Sequence, residues 1–277
     1  MIRLLPVVFR RMFKSSVYWI CVILMLCLMV YGIWNNYHYS ALWDLNLAPD
    51  NSLFSGMMLH SNLSAVFICL FIGLEYENKT IRNKIIVGHS KMAIYLSNVI
   101  VCSVGALVMH IVPFIINATL GVALLGEYEH PEANMVYFLC SLFAVVAKTA
   151  IVVFFAMLIT SRTFSLIVVL SMVFLFTSAG QWMERTLSAP EVYVFDVTDE
   201  NFEPTGETYE EVNPDYVDGN MREILEHIEV FLPYVQEYSY GGPELPDNIA
   251  VYPVYSLGFT VLVTGGGVLI FRRKDIN

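Results

Sequence analysis

Residues 17–34 read VYWICVILMLCLMVYGIW, which is 18 consecutive uncharged side chains. An α-helix rises 1.5 Å per residue, so crossing a hydrocarbon core of roughly 30 Å takes about 20 apolar residues. Asn35, Asn36 and Tyr37 follow the stretch, where a secretory signal would have small residues for cleavage. We therefore interpret residues 17–34 as a retained membrane-spanning helix.

The whole chain has the composition of a membrane protein. Its 277 residues are 57% hydrophobic and only 14% charged, with a mean hydropathy of +0.61, which lies outside the usual range of soluble domains. Further apolar stretches long enough to cross a bilayer occupy residues 53–74, 93–117, 135–159, 164–182 and 249–271. The predicted fold class is an all-α polytopic membrane protein with six transmembrane helices.

The basic residues predict the orientation of these spans. Cytoplasmic loops retain Lys and Arg. Such residues occur before span one, between spans two and three, between spans four and five, and after span six, at Arg3, Arg10, Arg11, Lys14, Lys79, Arg82, Lys84, Lys91, Arg162, Arg272, Arg273 and Lys274. Loops 35–52 and 118–134 contain none. We therefore expect both termini to be cytoplasmic.

An acidic segment at residues 183–248 separates spans five and six. It carries 17 Asp and Glu against Arg185 and Arg222, a charge of −15, so the rest of the chain is positive and nothing indicates a nucleic-acid partner. Its valines at 192, 194 and 197 predict a short strand. Apolar residues at helical spacing predict a helix before Pro233, at Met221, Ile224, Leu225, Ile228, Leu232 and Val235. We expect a small folded extracytoplasmic domain.

Residues 1–16 predict a cytoplasmic amphipathic helix that lies on the membrane surface. Leu5, Val8, Phe9 and Met12 form one apolar stripe, and Pro6 is tolerated in the first helical turn. The cations Arg3, Arg10, Arg11 and Lys14 are expected to contact anionic lipid headgroups.

Sequence signatures of catalysis are absent. The chain has no GxxxxGK[ST], HExxH or GxSxG pattern, which argues against ATP hydrolysis and against a membrane hydrolase. Five cysteines, at 21, 27, 69, 102 and 140, lie in apolar stretches without CxxC spacing, so neither a disulfide framework nor a zinc site is indicated. We predict no catalytic residue, no metal site and no cofactor in this chain.

The predicted cytoplasmic loop 75–91 has the pattern of a short helix that joins two spans. Asn78 is placed to cap it, Ile81 and Ile85 to stack on one side, and Gly88 to end it. A capped helix of mixed charge is a surface that a soluble partner can bind. The alternative is an ordinary basic cytoplasmic loop with no partner.

This loop resembles the ABC-2 type permease family. In that family a Glu at the end of span two is followed by a Thr-Ile-Arg-Asn-Lys run, a Gly, and a Tyr-Leu that opens span three. The matching positions here are Glu75, Thr80, Ile81, Arg82, Asn83, Lys84, Gly88, Tyr95 and Leu96. Two later patterns resemble members from Firmicutes, at residues 213–219 (NPDYVDG) with Arg222, 231–233 (FLP) and Gln236, and at residues 271–275 (FRRKD).

The resemblance implies a bacterial plasma-membrane exporter subunit with six spans, an N-terminal elbow helix and a coupling helix. That helix would dock on a separate ATPase chain, which binds ATP and Mg²⁺, and a second permease chain, identical or related, would complete the transporter. The residues implied in coupling are Glu75, Lys79, Thr80, Arg82, Asn83, Lys84 and Gly88. The cargo expected by analogy is a peptide or an amphipathic compound, including an antimicrobial peptide.

Four polar residues within the spans are candidates for a transport pathway. Lys148 lies near the middle of span four, where a lysine costs roughly 2.5 to 3.5 kcal/mol, so it should face the protein interior or water. His60, Asn62 and His110 lie in the predicted outer half of spans two and three. The alternative is that Lys148 binds backbone carbonyls and that the histidines are packing residues.

A second class of function is a membrane sensor or scaffold. In that case the acidic domain would bind an external ligand, and the basic loop would signal without transport. A co-purifying chain with a P-loop would favour the exporter, and the lack of one would favour the sensor.

Overall fold

A computed structural model describes residues 3–54, 57–198, 204–242 and 245–275. Within these ranges, six helices are long and apolar enough to cross a membrane, at Ser16–Trp43, Leu59–Glu77, Lys91–Leu125, Pro131–Leu158, Arg162–Ser188 and Val251–Arg273. The prediction of an all-α, multi-pass membrane protein is confirmed.

The elements follow in a simple order along the chain. The helices before the acidic segment are α1 (Leu5–Phe13), α2 (Ser16–Trp43), α3 (Asp50–Leu53), α4 (Met57–Glu77), α5 (Thr80–Ile86), α6 (Lys91–Ile116), a π-helical turn (Asn117–Gly121), α7 (Val122–Leu125), α8 (Pro131–Leu158) and α9 (Arg162–Ser188). Then come β1 (Val192–Thr198), β2 (Pro204–Val212), α10 (Gly219–Phe231), a 3₁₀ turn (Gln236–Tyr238) and α11 (Val251–Arg273).

The helices end at different residues from the apolar stretches. Helix α2 continues nine residues past Trp34 and ends where Asp44 adopts a left-handed conformation with φ of 51°, because hydropathy marks what crosses a membrane and not where a helix stops. The predicted start of span two at residue 53 is wrong. A separate helix, α3, ends at Leu53, and α4 begins at Met57.

The three central helices form the interior of the bundle. Helices α4, α6 and α8 bury about half or more of their spanning residues, whereas α2, α9 and α11 leave most of theirs on the outside. Helix α11 approaches α6 closely at Gly267, where a Cβ would lie 1.9 Å from Tyr95 Oη. The neighbouring Gly265 and Gly266 face open space.

The two ends of the bundle differ in charge. We call the end with α1, α5 and residues 272–274 the basic end, and the end with residues 45–54, 117–134, 189–198 and 204–231 the acidic end. At the acidic end, β1 and β2 form an antiparallel hairpin in which Val192 lies opposite Val212. The predicted strand is confirmed, and its partner β2 was not foreseen.

Helix α10 is shorter than its apolar pattern suggested. It ends at Phe231 because Leu232 precedes Pro233 and is extended, a conformation that a following proline imposes. The placement of Leu232 and Val235 on this helix is therefore wrong. Instead, Val235 forms a small core with Met183 and Leu225.

Helix α1 packs against the bundle with its apolar stripe. Val8 and Met12 are buried, and Leu5 and Phe9 pack beside them. One expected lipid contact is wrong: Arg11 turns inward, where its guanidinium lies 3.9 Å from the centre of the Phe71 ring.

Candidate functional site

A buried carboxylate joins four elements at the basic end. Glu75, in the last turn of α4, has no exposed side-chain surface. Its Oε1 accepts hydrogen bonds from Arg11 of α1 and Lys84 of α5. Its Oε2 accepts one from the Asn98 amide of α6 at 3.1 Å. We call these four residues the Glu75 cluster.

The Glu75 cluster has one more positive charge than negative. A buried carboxylate is stabilised by opposite charges and hydrogen bonds, and Glu75 has two cations and an amide as partners. Burial lowers the pKa of Lys84, and the attraction of Glu75 opposes that shift. These contacts therefore hold α1 and α5 against the end of α4.

Helix α5 has most of the local features that the sequence predicted. Ile81 and Ile85 pack into the core, and Gly88 closes the helix with φ of 97°, while its N–H donates to the Ile85 carbonyl. The predicted cap is wrong, however. The Asn78 N–H still closes the last turn of α4, and Lys79, in a left-handed conformation, precedes α5.

The outward side of α5 carries the other predicted coupling residues. Lys79, Arg82, Asn83 and Gly88 are exposed, and Thr80 is half-buried. Beside them, Ile86 and Val87 are 72% and 78% exposed, although sequence reasoning did not single them out. We call Arg82, Asn83, Ile86 and Val87 the outer face of α5.

The C-terminal tail also contacts the bundle at its basic end. Lys274 Nζ donates to the carbonyls of Met157 and Leu158 at the end of α8, at 3.0 and 2.9 Å. It also donates to Tyr76 Oη at 3.1 Å. Partial burial lowers the pKa of Lys274 to about 8.

A second buried ion pair lies inside the bundle. Lys148 of α8 pairs with Glu237, and both side chains are about 5% exposed or less. Lys148 also donates to Ser61 Oγ of α4 at 2.9 Å, and that hydroxyl donates to Glu237 Oε2 at 3.1 Å. Lys148 thus faces the interior, as predicted, and its partner is a carboxylate and not backbone carbonyls.

Glu237 belongs to a part of the acidic segment that inserts among the spans. In residues 232–240, which we call the inserted segment, the Tyr234 ring stacks on Phe176 of α9 with 5.4 Å between centroids. Gln236 Oε1 accepts a hydrogen bond from Ser256 of α11 at 2.9 Å. Sequence reasoning missed Glu237, although two signals pointed to it. Lys148 needs a counter-ion, and residues 230–236 are uncharged within an acidic segment.

The two predicted histidines lie together near this pair. Their ring centroids are 5.3 Å apart. The His60 Nε2 lies 3.0 Å from the Ala106 carbonyl, and the His110 Nε2 lies 2.7 Å from Ser141 Oγ. Both rings line an apolar cavity of about 220 Å³ between α2, α4, α6 and α8. Asn62, the other predicted pathway residue, is half-buried.

The predicted site residues thus form two groups, one at the basic end around Glu75 and one in the bundle around Lys148 and the histidines. No protein-family model and no curated protein matches this chain.

Proposed function

We propose that this chain is the permease subunit of an ATP-binding cassette exporter in a bacterial plasma membrane. A separate ATPase chain would bind the ATP and Mg²⁺, and this chain would have no enzymatic activity of its own. The observation that supports the proposal best is the outer face of α5, a small exposed surface on a helix that is fixed to the bundle from behind by Glu75.

The composition of that surface suits a protein partner. Ile86 and Val87 are exposed aliphatic side chains at an end of the bundle rich in basic residues, with Arg82 and Asn83 beside them. Exposed apolar groups rimmed by polar groups are typical of protein interaction sites. Because Ile81 and Lys84 fix the opposite side of α5, a partner would meet a rigid surface, which lowers the entropy cost of binding.

The Glu75 cluster provides a physical route for coupling. A movement of α5 imposed by an ATPase would reach α4, α1 and α6 through one carboxylate. Shifts of whole helices are one of the forms that conformational switching takes in proteins. In this proposal Glu75 and Lys84 transmit the motion, while Arg82 and its neighbours contact the ATPase.

A second permease chain, identical or related, would complete the transporter. Helices α2, α9 and α11 leave many large apolar side chains on the outside, including Trp34, Phe174 and Leu262. Such surfaces suit lipid or another membrane helix. We propose that both termini are cytoplasmic, that the acidic segment is extracytoplasmic, and that the cargo is a peptide or amphipathic compound.

Capture of an ATPase from native membranes tests the proposal. The tagged chain is purified in mild detergent as wild type and as an Arg82→Glu, Val87→Asp variant, and each eluate is assayed for ATPase activity. Lys84 is left unchanged because it supports Glu75. We expect the variant to lose most of the activity, and an Arg273→Glu control at the exposed end of α11 to retain it.

Absence of ATPase from every eluate would contradict the proposal and favour the sensor or scaffold. One observation supports that second function: the inserted segment connects the acidic segment directly to Lys148 in the bundle. A ligand that moved the acidic segment would act on that pair.

A further inference from the structure

Helix α10 has an apolar stripe that is largely exposed. Met221, Ile224, Ile228 and Phe231 recur at intervals of three and four residues, so they lie along one side of the helix. Met221 and Ile224 are 57% and 53% exposed, and Phe231 is 41% exposed. The described part of the chain therefore leaves most of this stripe uncovered.

The end of α10 lies beside the spanning part of α11. The Phe231 ring lies 5.9 Å from that of Tyr255 and 5.8 Å from that of Phe259, measured between centroids. Phe259 comes eight residues after Val251, the first residue of α11, which is about 12 Å along the helix axis. Val254 of the same helix is 66% exposed. The stripe of α10 therefore adjoins the outer surface of a membrane-spanning helix, where lipid surrounds the protein.

A groove of about 480 Å³ lies between these two helices, and we call it the α10–α11 groove. Its volume is within the roughly 300 to 1,000 Å³ of sites that bind small molecules. The described residues that line it are mostly apolar or aromatic, with polar side chains at Glu223 and His227; the others are Ile224, Ile228, Phe231 and Tyr255. The groove can therefore hold part of an acyl chain, with a carboxylate close by.

The charge of α10 is negative at this groove. The helix has three carboxylates, at Glu223, Glu226 and Glu229, against one guanidinium, at Arg222. That guanidinium pairs with Glu226 at 3.2 Å and donates to the Leu187 carbonyl at 2.8 Å. Glu223 is exposed and takes part in no ion pair among the described residues. Its carboxylate is therefore available to a cationic group in the groove.

This charge favours a lipid over a second copy of the chain as the occupant. If two copies met at α10 about a two-fold axis, the same surface of each would contact the other, and their carboxylates would face each other. Like charges across an interface cost free energy, whereas a cationic headgroup would be attracted to Glu223.

We propose that the α10–α11 groove binds a phospholipid whose headgroup carries a primary ammonium group, as in phosphatidylethanolamine. An acyl chain packs against Ile224 and Phe231, and the ammonium group pairs with the Glu223 carboxylate. Burial of apolar surface provides most of the affinity, and the exposed ion pair adds a modest preference for the headgroup. The lipid comes from the leaflet next to the acidic end. Binding does not depend on whether the chain is an exporter subunit.

Photolabelling in nanodiscs of phosphatidylglycerol tests the site and its preference. Phosphatidylethanolamine and phosphatidylglycerol probes, each with the same diazirine on an acyl chain, label the purified chain at equal mole fractions. We expect adducts of both probes on groove residues such as Ile224 and Tyr255. The ethanolamine probe should give about threefold more of them, as an exposed ion pair allows.

Two variants with matched controls separate the ion pair from the apolar contact. Glu223→Gln should bring the ratio of the two probes close to one. Glu210→Gln, at an exposed position of β2, removes the same charge outside the groove and should leave the ratio unchanged. Ile224→Asn should remove most groove adducts of both probes, whereas Val194→Asn, at a similarly exposed aliphatic position of β1, should not.

Equal labelling by the two probes in the wild type would overturn the ammonium preference. Adducts no more frequent in the groove than on Phe174 and Leu175, which are exposed on α9, would show contact with bulk lipid alone and overturn the site. Absence of adducts from the groove, as a second copy covering it would produce, would also overturn the site. None of these readouts involves an ATPase, so failure here is distinguishable from failure of the exporter proposal.

Discussion

The two buried carboxylates of this protein, Glu75 and Glu237, are held in different ways. Glu75 lies at the basic end, where two cations and an amide share it and where Arg11 remains one-third exposed. Glu237 lies within the bundle and has one cation, Lys148, 89 positions away in the chain. We therefore expect removal of one cation to reduce the stability of the Glu75 cluster only in part. Removal of either member of the Lys148–Glu237 pair should abolish the stabilisation that the pair provides.

Removing the charge of Glu237 should have the largest effect. Glu237→Gln leaves Lys148 as a buried charge without a counter-ion, which typically costs about 3 to 5 kcal/mol of the free energy of unfolding. Thermal unfolding in detergent measures the loss. Because replacing both charges with apolar groups removes the problem, Lys148→Met with Glu237→Leu should recover most of the stability. A double variant as unstable as Glu237→Gln would contradict this account of the pair.

The Glu75→Gln variant should have the next largest effect, about 2 to 3 kcal/mol, because it removes the anion that Arg11 and Lys84 share. Since both cations bind the same oxygen, α1 and α5 should loosen together. Hydrogen exchange of residues 5–13 and 80–86 measures this, with equal gains expected in both helices. Faster exchange in only one of the helices would show that the cluster does not couple them.

A carboxylate at the acidic end should have a smaller effect. Asp50 accepts hydrogen bonds from the Glu129 and His130 N–H groups at 3.0 and 3.2 Å, and from the Asn134 amide. Burial alone would raise the pKa of Asp50, but these hydrogen bonds hold it below its ordinary value. Because Asp50 is partly exposed, Asp50→Asn should cost only about 1 kcal/mol at pH 7.

The pH dependence of that difference follows from the lowered pKa. The contribution of Asp50 is complete above the ordinary value of 3.8 and is lost as the pH falls through the lower value of the folded state. The gap in melting temperature between wild type and Asp50→Asn should therefore shrink toward zero in strong acid. A gap that widened on acidification would contradict the assignment.

Glu77→Gln should have the smallest effect and is the matched control for Glu75→Gln. Glu77 pairs with Arg162 at 3.2 Å, but both side chains are substantially exposed. Pairs of this kind contribute about 0.2 to 1 kcal/mol, and salt weakens them. Suppose Glu77→Gln lowered the free energy of unfolding as much as Glu75→Gln, two residues earlier. The difference in burial between the two carboxylates would then not determine their contributions to stability.

Local patterns account for what the sequence predicted. The spans follow from apolar length, and α5 follows from the spacing of Ile81, Ile85 and Gly88. Such patterns depend on neighbours within one or two helical turns. Boundaries were less predictable: helix α2 continues past Trp34 because residues 35–43 contain no proline, glycine or charged side chain that would interrupt it before Asp44.

Contacts between residues far apart in the sequence account for the features that the sequence did not predict. Glu237 is one of 17 acidic residues in its segment, and only the fold shows that its neighbours insert among the spans. Arg11 was assigned to lipid because its helix is amphipathic, yet a buried carboxylate 64 positions away attracts it. Ile86 and Val87 are likewise exposed because the Glu75 cluster holds the opposite side of α5 against the bundle.

The most direct test of the exporter account is photocrosslinking from α5 in native membranes. A photoreactive phenylalanine analogue replaces Ile86, which faces outward, or Ile85, which packs inward. The account predicts that position 86 crosslinks to a chain containing a P-loop and that position 85 does not. Equal crosslinking from both positions, or crosslinks from position 86 to lipid alone, would contradict it.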